Sequence, residues 1–384
     1  MDTIHERQPT GARLNRARIA VSVVFFLVGI GPGVWAVHIP LIKERLAIDP
    51  AILGLALLTM ATGAVVSMPL SGWIVGLTGS RKPTAVAVFV YLAILPLPIL
   101  APDVLLFFTA LFFFGLLIGG IDVLANVQAS EVEVARKRPT MSSFHAFYSI
   151  GALCGALMGA FVISQGWGDG RGAVGTAVIC IILAAVAVPS LYPSERIVSE
   201  GPRFALPSKA VVGLGFIAFL AYALEGAVTD WSALYLTSVR EATPETAAIG
   251  FALFALSMSG LRLFGDPIVA RFGGRAVLAG GGLLSAIGLG IALASPWPLI
   301  GAIGFGMVGI GVANVVPVVF SAGARTPGVS AGMGVAAVAT MGYVGFLFAP
   351  PILGFVGHEY GLSASLGLVL VMALAIAVLG FRLR

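Results

Sequence analysis

Twelve apolar segments of about 20 residues run through this chain, and they constrain its fold more than any other feature. A helix of that length spans the hydrocarbon core of a bilayer, where only helices and closed barrels satisfy the backbone hydrogen bonds. Of the 384 residues, 59% are hydrophobic and 10% are charged, whereas soluble proteins carry about 25% charged residues. The predicted fold is therefore an all-α membrane protein with twelve transmembrane helices.

The longest polar interval lies between the sixth and the seventh span and predicts a division of the chain. We expect an N-terminal six-helix bundle over residues 1–191, a cytoplasmic linker over 192–208 and a C-terminal six-helix bundle over 209–384. The twelve predicted spans are Ala17–Ile39, Ile52–Leu77, Thr84–Leu100, Val104–Val127, Ser142–Gln165, Ala173–Leu191, Ala210–Leu236, Ala247–Ala270, Ala276–Ala294, Leu299–Ser321, Gly332–Val356 and Leu362–Leu379.

The distribution of Lys and Arg predicts the orientation in the membrane. With twelve spans both termini share one side, and that side carries 17 of the 22 basic residues, whereas the opposite side carries four. Because basic residues accumulate in cytoplasmic loops, we expect a multi-pass protein of the bacterial cytoplasmic (inner) membrane with both termini in the cytoplasm. The same distribution accounts for the net charge of +5 without a nucleic-acid partner.

An internal repeat relates the two predicted bundles, and nearly constant sequence offsets reveal it. The matching positions are Trp35 with Trp231 (offset 196), the segment Gly72–Arg81 with Asp266–Arg275 (offset 194), and Asn126 and Pro139 with Asn314 and Pro327 (both offset 188). Duplicated six-helix halves related by an axis along the membrane normal are the architecture of major facilitator transporters.

The chain resembles the major facilitator superfamily over nearly its whole length. The resemblance is carried by the loop Gly72–Lys82 and its copy Asp266–Arg275, where the family has Gly-x-x-x-Asp-x-x-Gly-Arg-Arg/Lys. Gly76 stands at the acidic position of this pattern, and Ala270 stands there in the copy. The usual acidic contact between the loop and the neighbouring half is therefore not expected from these two positions.

Further residues resemble one branch of the superfamily. The segments Asp122-Val-Leu-Ala-Asn126, Trp231-Ser232 and Arg262 with Arg271-Phe272 resemble the fucose permease branch. The segments Trp35-Ala-Val-His-Ile-Pro40, Ser143-Phe-His-Ala-Phe147 and Glu225-Gly-Ala-Val-Thr-Asp-Trp231 resemble its MosC-like bacterial relatives. The resemblance implies proton symport of a sugar. The acid that the branch uses in span four falls at Asp122, whereas its Asp in span one has no counterpart, because that segment holds only His38.

Two acidic residues near the middle of spans are the candidates for proton coupling. Asp122 in span four and Glu225 in span seven lie where an unpaired carboxylate is costly, and such residues usually serve proton or substrate pathways. Asp122 is interpreted as the proton site or as an acceptor for a substrate hydroxyl. The alternative for it is a structural acid paired with another helix. The residues alone do not decide which of the two acids carries the proton.

Polar and aromatic residues in the spans are the candidates for solute binding. Amides suit the recognition of hydroxyl groups, and aromatic rings can stack on a sugar ring. The alternatives are hydrogen bonding between helices, Trp anchoring at the membrane interface, a satisfied buried His, and a helix-end role for Asp230. The candidates are Trp35, His38, Asn126, His145, Tyr148, Tyr222, Asp230, Trp231 and Asn314.

Four charged residues toward the cytoplasmic ends of the spans are candidates for gating. Arg262 and Asp266 are four residues apart in predicted span eight, a spacing that predicts an ion pair within one helix. This pair is interpreted as a gate or a domain-closing contact, or else as a static pair. Arg81 and Arg275 belong to the repeated loop motif.

These features predict a secondary active transporter of a small polar solute, such as a sugar, a polyol or a related amine, coupled to protons by symport. The alternative is a proton-antiport exporter of a metabolite or toxic compound. No constellation of nucleophile and base, phosphate loop or metal cluster indicates an enzyme or a cofactor. Cys154 and Cys180 lie in apolar runs and predict neither a disulfide nor a metal site. The expected partners are the solute, protons and the lipid bilayer, and we expect a monomer.

Overall fold

The computed structural model describes residues 11–48, 50–194 and 209–382, and these residues form helices without a β-strand. Residues 195–208 of the predicted linker lie outside the described residues. A short 3-10 turn, Val188–Ser190, follows α7. The α-helices are α1 Gly11–Arg45, α2 Pro50–Thr78, α3 Arg81–Ile94, α4 Leu97–Leu100, α5 Val104–Arg136, α6 Met141–Ser164, α7 Arg171–Ala187, α8 Lys209–Arg240, α9 Pro244–Leu263, α10 Gly265–Ala294, α11 Pro298–Val312, α12 Val315–Ala324, α13 Ala331–Tyr360 and α14 Leu362–Arg382.

Several helix ends have local chemical causes. Asp103 caps the start of α5 by accepting a hydrogen bond from the backbone N–H of Leu106 at 2.8 Å. Ser330 caps α13 in the same way through Met333. Both caps satisfy a backbone donor that the first helical turn leaves free. The end of α5 is marked by Lys137, which adopts the left-handed conformation with φ 54°.

The number of apolar helices agrees with the predicted membrane architecture. Eleven helical segments of the described residues are long and apolar enough to cross a membrane, and Ile249–Leu263 is a shorter apolar helix. The shorter helix is part of predicted span eight, which bends at Phe264 and continues in the first turns of α10. Pro267 explains the bend, because it has no N–H for the carbonyl of Leu263 and its ring crowds that carbonyl.

Predicted span ten is also broken. The helix α11 ends at Val312, and α12 begins at Val315, with Asn314 between them at φ −107° and ψ 4°. Pro317 has no N–H to donate to the carbonyl of Ala313, four residues earlier. The break therefore leaves one backbone carbonyl available to a side chain in the membrane interior.

The loop after α2 and its copy within α10 share an unusual backbone conformation. Gly79 has φ +74°, and Gly273, at the matching position of the repeat, has φ +77°. Only glycine adopts this left-handed region without strain. Gly273 also separates the two helical parts of α10, so that predicted span nine begins after it.

The buried apolar side chains form two cores. One core is built from residues between Ala17 and Leu191, and the other mainly from residues between Leu214 and Ile376. We call α1–α7 the N-half and α8–α14 the C-half. Five N-half residues join the core of the C-half and mark where the halves meet: Met68, Val75, Val123, Leu124 and Val127.

The connections between helices define two ends of the molecule. We call the end that contains Gly79, Lys137, Gly273 and Arg325 the basic end, since most of the basic loop residues lie there. The other end, which contains the turn Gly166–Gly170, is called the opposite end. Asp169 and Arg171 form an exposed ion pair at the opposite end, at 2.8 Å.

Candidate functional site

Asp122 lies near the middle of α5 with one carboxylate oxygen in use and the other free. Its Oδ1 accepts a hydrogen bond from the side-chain amide of Asn126 at 3.1 Å. Its Oδ2 is buried and has no partner among the described residues. A buried carboxylate oxygen without a donor is costly. The site therefore has an unused acceptor that a proton or a solute can occupy.

Asn126 uses both ends of its amide. Its Nδ2 also donates to the backbone carbonyl of Asp122 at 2.9 Å. Its Oδ1 lies 3.1 Å from Nε2 of His145, on the neighbouring helix α6. Since the amide donates on one side, its oxygen accepts from an Nε2–H of His145 on the other. Asn126 is thus part of a chain of hydrogen bonds, with little capacity left for a solute.

Arg262 connects the two halves in the membrane interior. Its Nε donates to the carbonyl of Ala313 at 3.0 Å, the carbonyl that Pro317 leaves free. One terminal nitrogen donates to Oγ of Ser149 in the N-half at 3.0 Å, and the other lies 3.5 Å from Oε2 of Glu225. The Arg262 side chain is 7% exposed and that of Glu225 is 25% exposed.

The predicted ion pair between Arg262 and Asp266 is wrong. The bend at Phe264 separates the two residues into different helices, so that they no longer follow the spacing of one α-helix. Arg262 pairs with Glu225. Asp266 lies instead at the basic end.

Three tyrosines lie within electrostatic range of Asp122. Tyr148 of α6 and Tyr222 of α8 interact electrostatically with Asp122, Glu225 and Arg262. Tyr343 of α13 also interacts electrostatically with Asp122. The rings of Tyr222 and Tyr343 lie 5.7 Å apart. Phenol groups combine an apolar ring with a hydrogen-bonding hydroxyl, which suits a ligand that is polar at its edge and apolar on its face.

These residues form a polar cluster at the interface of the halves, which we call the central cluster. The N-half contributes Asp122, Asn126, His145, Tyr148 and Ser149, and the C-half contributes Tyr222, Glu225, Arg262 and Tyr343. Glu225 and Arg262 compensate each other in charge, whereas Asp122 has no basic partner among the described residues. The chemistry available is proton binding at Asp122 and hydrogen bonding around it.

Glu133 joins the halves at the basic end. It is 3% exposed and accepts hydrogen bonds from the backbone N–H groups of Thr140 and Met141 at 2.8 and 2.9 Å. From the C-half, Oγ of Ser321 donates to it, and Arg325 lies 3.1 Å away. A buried carboxylate with this many donors is well compensated.

Asp266 makes a second contact between the halves at the basic end. Its Oδ1 accepts from the backbone N–H of Ser143 at 3.1 Å, in the first turn of α6. An acid at this position also complements the helix dipole. The copy of the loop motif therefore does make an acidic contact with the other half, but from Asp266, one turn before the position that Ala270 occupies.

The first copy of the loop motif makes its contact without an acid. Gly72 packs directly against Gly332 and Ala336 of α13. A Cβ added to Gly72 would overlap both the Gly332 carbonyl and the Ala336 side chain. Glycine is thus required here for the close approach of α2 and α13.

Trp35 and His38, both predicted to bind solute, lie in the core of the N-half, apart from the central cluster. Trp35 is 7% exposed and packs on Phe107 with ring centroids 5.9 Å apart. His38 is fully buried, and its Nδ1 lies 2.7 Å from the carbonyl of Val34. Apolar packing accounts for Trp35, whereas Nε2 of His38 is buried without a hydrogen-bond partner among the described residues.

Asp230, Trp231 and Asn314 are likewise not part of the hydrogen-bonded cluster. Asp230 is exposed and lies in the part of α8 that is nearer the opposite end of the molecule. Trp231 packs near Gly354 of α13. Asn314 is 2% exposed and faces Gly265 at the break between α11 and α12.

Of the four gating candidates, Arg262 and Asp266 make contacts between the halves. Arg81 donates to the carbonyl of Pro189 at 2.8 Å, within the N-half. Arg275 is exposed and lines a cavity of about 430 Å³ at the basic end, to which Glu133 and Asp266 also contribute. Among the described residues no group of His, Cys, Asp and Glu is arranged to hold a metal.

Sequence reasoning did not single out Glu133 or Tyr343. Glu133 lies in the polar end of α5, where its charge is ordinary for a helix terminus, and only the fold brings Ser321 and Arg325 to it. Tyr343 is an aromatic residue in an apolar span. Neither residue stands out in the sequence by its motif or by its spacing.

The fold and the central cluster define a class of protein: a multi-pass membrane transporter with two helical halves and a polar site between them. The model of the Major Facilitator Superfamily matches residues 21–238. The chain is 36% identical to an uncharacterized MFS-type transporter of Yersinia pestis, covering 94% of each chain. It is 32% identical to the membrane protein MosC of Rhizobium meliloti, covering 93% of this chain and 88% of MosC. The chain belongs to the major facilitator superfamily.

A solved structure gives the same fold. The E. coli fucose:proton symporter FucP, in its outward conformation, superimposes with a TM-score of 0.77 at 16% identity, covering 95% of this chain and 97% of FucP. The predicted all-α architecture is thereby confirmed. The family model and MosC confirm the predicted resemblance to the superfamily and to the MosC-like relatives, and FucP shares the fold.

Proposed function

We propose that this transporter is a proton symporter for a small polar solute, such as a sugar or a polyol, and that Asp122 carries the proton. The observation that carries the proposal is the buried Oδ2 of Asp122, which has no donor among the described residues. It lies within a polar cluster to which both halves contribute. Intramembrane acids at such positions usually serve proton or substrate pathways.

Glu225 is the weaker candidate for the proton, because Arg262 compensates its charge. The two groups are 3.5 Å apart and largely buried. Removing the charge of one residue leaves the charge of the other unpaired in a site of low dielectric. We infer that Glu225 and Arg262 remain an ion pair and that Arg262, through Ser149, holds the centre of the interface together.

The solute site is proposed to lie against Tyr148, Tyr222 and Tyr343. Their rings offer apolar faces, and their hydroxyls and the Asp122 carboxylate offer acceptors for solute hydroxyl groups. The relatives support a polar solute, since solved proteins of this fold include a fucose:proton symporter and a proton:xylose symporter.

The transport mechanism is proposed to be alternating access, with residues 1–191 and 209–384 as the two rocking units joined by the linker 192–208. Between described residues, the hydrogen bonds that cross from one half to the other lie at the basic end and in the centre. They join Glu133 to Ser321 and Arg325, Ser143 to Asp266, and Ser149 to Arg262. This pattern supports a state closed at the basic end.

The proposed location is the bacterial cytoplasmic membrane, with the basic end and both termini in the cytoplasm. The positive-inside rule supports this orientation. The structure would then represent an outward-facing state. The solute would enter from the opposite end.

The test is the external pH of a lightly buffered, de-energised suspension of cells that express the protein. Sugars, inositols and amino-polyols are added one at a time. Alkalinisation with one solute, absent in cells that carry Asp122→Asn, is the expected result. The matched variant Glu225→Gln reports on the second acid.

Two outcomes contradict the proposal. If Asp122→Asn retains solute-driven alkalinisation, Asp122 is not the coupling residue. If no solute of the panel changes the pH and loaded vesicles instead release a solute when protons enter, the direction is export by proton antiport.

A further inference from the structure

A chain of hydrogen bonds leads from Asp122 to the interface of the halves. Asn126 donates to Asp122, and His145 donates to Asn126. The backbone carbonyl of Asp122, which can only accept, fixes the amide orientation of Asn126 whatever the charge of the carboxyl group. His145 is therefore required as a donor in this arrangement.

The ring of His145 is held between one aromatic residue from each half. Phe25 of α1 lies 5.4 Å from it, centroid to centroid, and Phe320 of α12 lies 5.8 Å from it with a steep interplanar angle of 67°. Phe25 and Phe320 are both buried. Phe25 belongs to the same half as His145, whereas Phe320 belongs to the other half and would move away when the basic end opens.

Other titratable groups lie in the same region, but none replaces Asn126. Tyr148 of α6, Tyr222 of α8 and Tyr343 of α13 interact electrostatically with Asp122, and Tyr148 and Tyr222 interact also with Glu225 and Arg262. Among the described residues, Asn126 is the one side chain that donates a hydrogen bond to the Asp122 carboxylate. Arg262 also interacts electrostatically with His145.

We propose that His145 is a positioning residue that makes protonation of Asp122 depend on closure of the basic end. With the halves closed, Phe320 and Phe25 fix the imidazole, which fixes Asn126 as a donor to the Asp122 carboxylate. When Phe320 withdraws, His145 is released and the oxygen of Asn126 loses its partner. The backbone carbonyl of Asp122 alone then holds the Asn126 side chain, and the hydrogen bond from Asn126 to the carboxylate weakens. This inference rests on the proposed role of Asp122 as the proton site.

The test does not require the solute. Infrared spectroscopy of the purified full-length protein follows the protonated carboxyl signal as the pH is changed, and the part that disappears in Asp122→Asn belongs to Asp122. The variants His145→Gln and His145→Leu are compared with the unaltered chain. Gln places an amide N–H near the position of the imidazole Nε2–H, whereas Leu has no donor.

The expected result separates the two variants. His145→Gln titrates like the unaltered protein, whereas the midpoint for His145→Leu moves by about one pH unit, the size expected when a hydrogen bond to a charged group is weakened. A structural role of His145 alone would alter the melting temperature without moving this midpoint. Rescue by Gln is the signature of a positioning role.

Phe320→Leu and Phe25→Leu form a second matched pair that applies even where His145→Leu does not fold. Phe320→Leu is expected to move the Asp122 midpoint in the same direction as His145→Leu. Phe25→Leu, which removes an aromatic ring from the same imidazole within one half, is expected to move it less.

The outcomes are distinguishable from failure of the proposed function. If no carboxyl signal disappears in Asp122→Asn, the role of Asp122 in proton binding is wrong. If the Asp122 signal is present but folded His145→Leu titrates like the unaltered protein, the positioning role is overturned. If Phe25→Leu moves the midpoint as much as Phe320→Leu, the dependence on closure is overturned.

Discussion

Two of the helix contacts that close the basic end use opposite chemistry. At one, Asp266 of the C-half binds the backbone N–H of Ser143 at the start of α6. At the other, Gly72 of the N-half packs against Gly332 and Ala336 at the start of α13, without a charge. The internal repeat relates the two contacts. They occupy equivalent places in the two halves, but one contact is polar and the other is apolar.

The difference shows that the repeat preserves the place of a contact more strictly than its chemistry. An acid at a helix N-terminus gains from the helix dipole and from a hydrogen bond. Two glycines gain from dispersion across a close backbone approach. The polar form tolerates small displacements, whereas the glycine contact is sensitive to a single added methyl group.

The largest expected effect on stability comes from replacing Glu133, which binds the start of α6 next to the polar contact. Glu133→Ala leaves two buried backbone N–H groups and the hydroxyl of Ser321 without an acceptor and is expected to destabilise the protein by about 3 kcal/mol. Thermal unfolding of the purified protein measures this. Ser321→Ala, which removes one donor and leaves Glu133 compensated, is the control and is expected to cost about 1 kcal/mol. Equal melting temperatures for Glu133→Ala and the unaltered chain would contradict the assignment.

The apolar contact is tested by Gly72→Val. Overpacking against Gly332 and Ala336 is expected to disfavour the closed state by about 2 kcal/mol, roughly a 30-fold shift in the equilibrium. The control is Gly76→Val, one turn further along α2, because no atom lies within 4 Å of a Cβ added there.

A cysteine introduced at a buried position can report on this closure. Val318 is 7% exposed and lines the cavity at the basic end, so a Val318→Cys reporter in the purified protein reacts with a water-soluble maleimide when that end opens. Cys154→Ala and Cys180→Ala remove the native thiols. Faster labelling with Gly72→Val than with Gly76→Val is expected, and equal rates would contradict the close-packing argument.

The polar contact is expected to be less sensitive. Asp266→Asn retains an oxygen for the Ser143 N–H but removes the charge from the N-terminus of α6, for an expected cost of about 1 kcal/mol to the closed state. The same reporter at residue 318 should label about fivefold faster. A larger effect than that of Gly72→Val would reverse the ranking of the two contacts.

The sequence predicts the spans, the repeat and the depth of Asp122, because these depend on local hydrophobicity and on residue spacing. Pro267 and Pro317 were visible in the sequence as well, but the bends they cause were not predicted. The bend at Phe264 invalidates the spacing argument that paired Arg262 with Asp266.

The partners of the charged residues could not be predicted, because they come from helices far apart in the chain. Arg262 binds the carbonyl that the break before α12 exposes and a serine of the other half. Asn126 was predicted as a solute ligand from its residue type. Its hydrogen bonds to Asp122 and His145 are tertiary facts that the one-dimensional pattern does not contain.

The smallest expected effect lies at the opposite end, where Asp169 and Arg171 form an exposed ion pair at 2.8 Å. The side-chain hydrogen bond from Arg171 lowers the pKa of Asp169 from its ordinary value of 3.8. The pair therefore contributes to stability above that value and loses its contribution as the pH falls below it. Solvent screens exposed pairs, so Asp169→Asn is expected to melt within error of the unaltered protein at pH 7 and pH 5. A clear fall in the melting temperature at pH 7 would mean that exposed ion pairs also stabilise this molecule. The difference between the Asp266 contact and the Gly72 contact would then need a cause other than their chemistry.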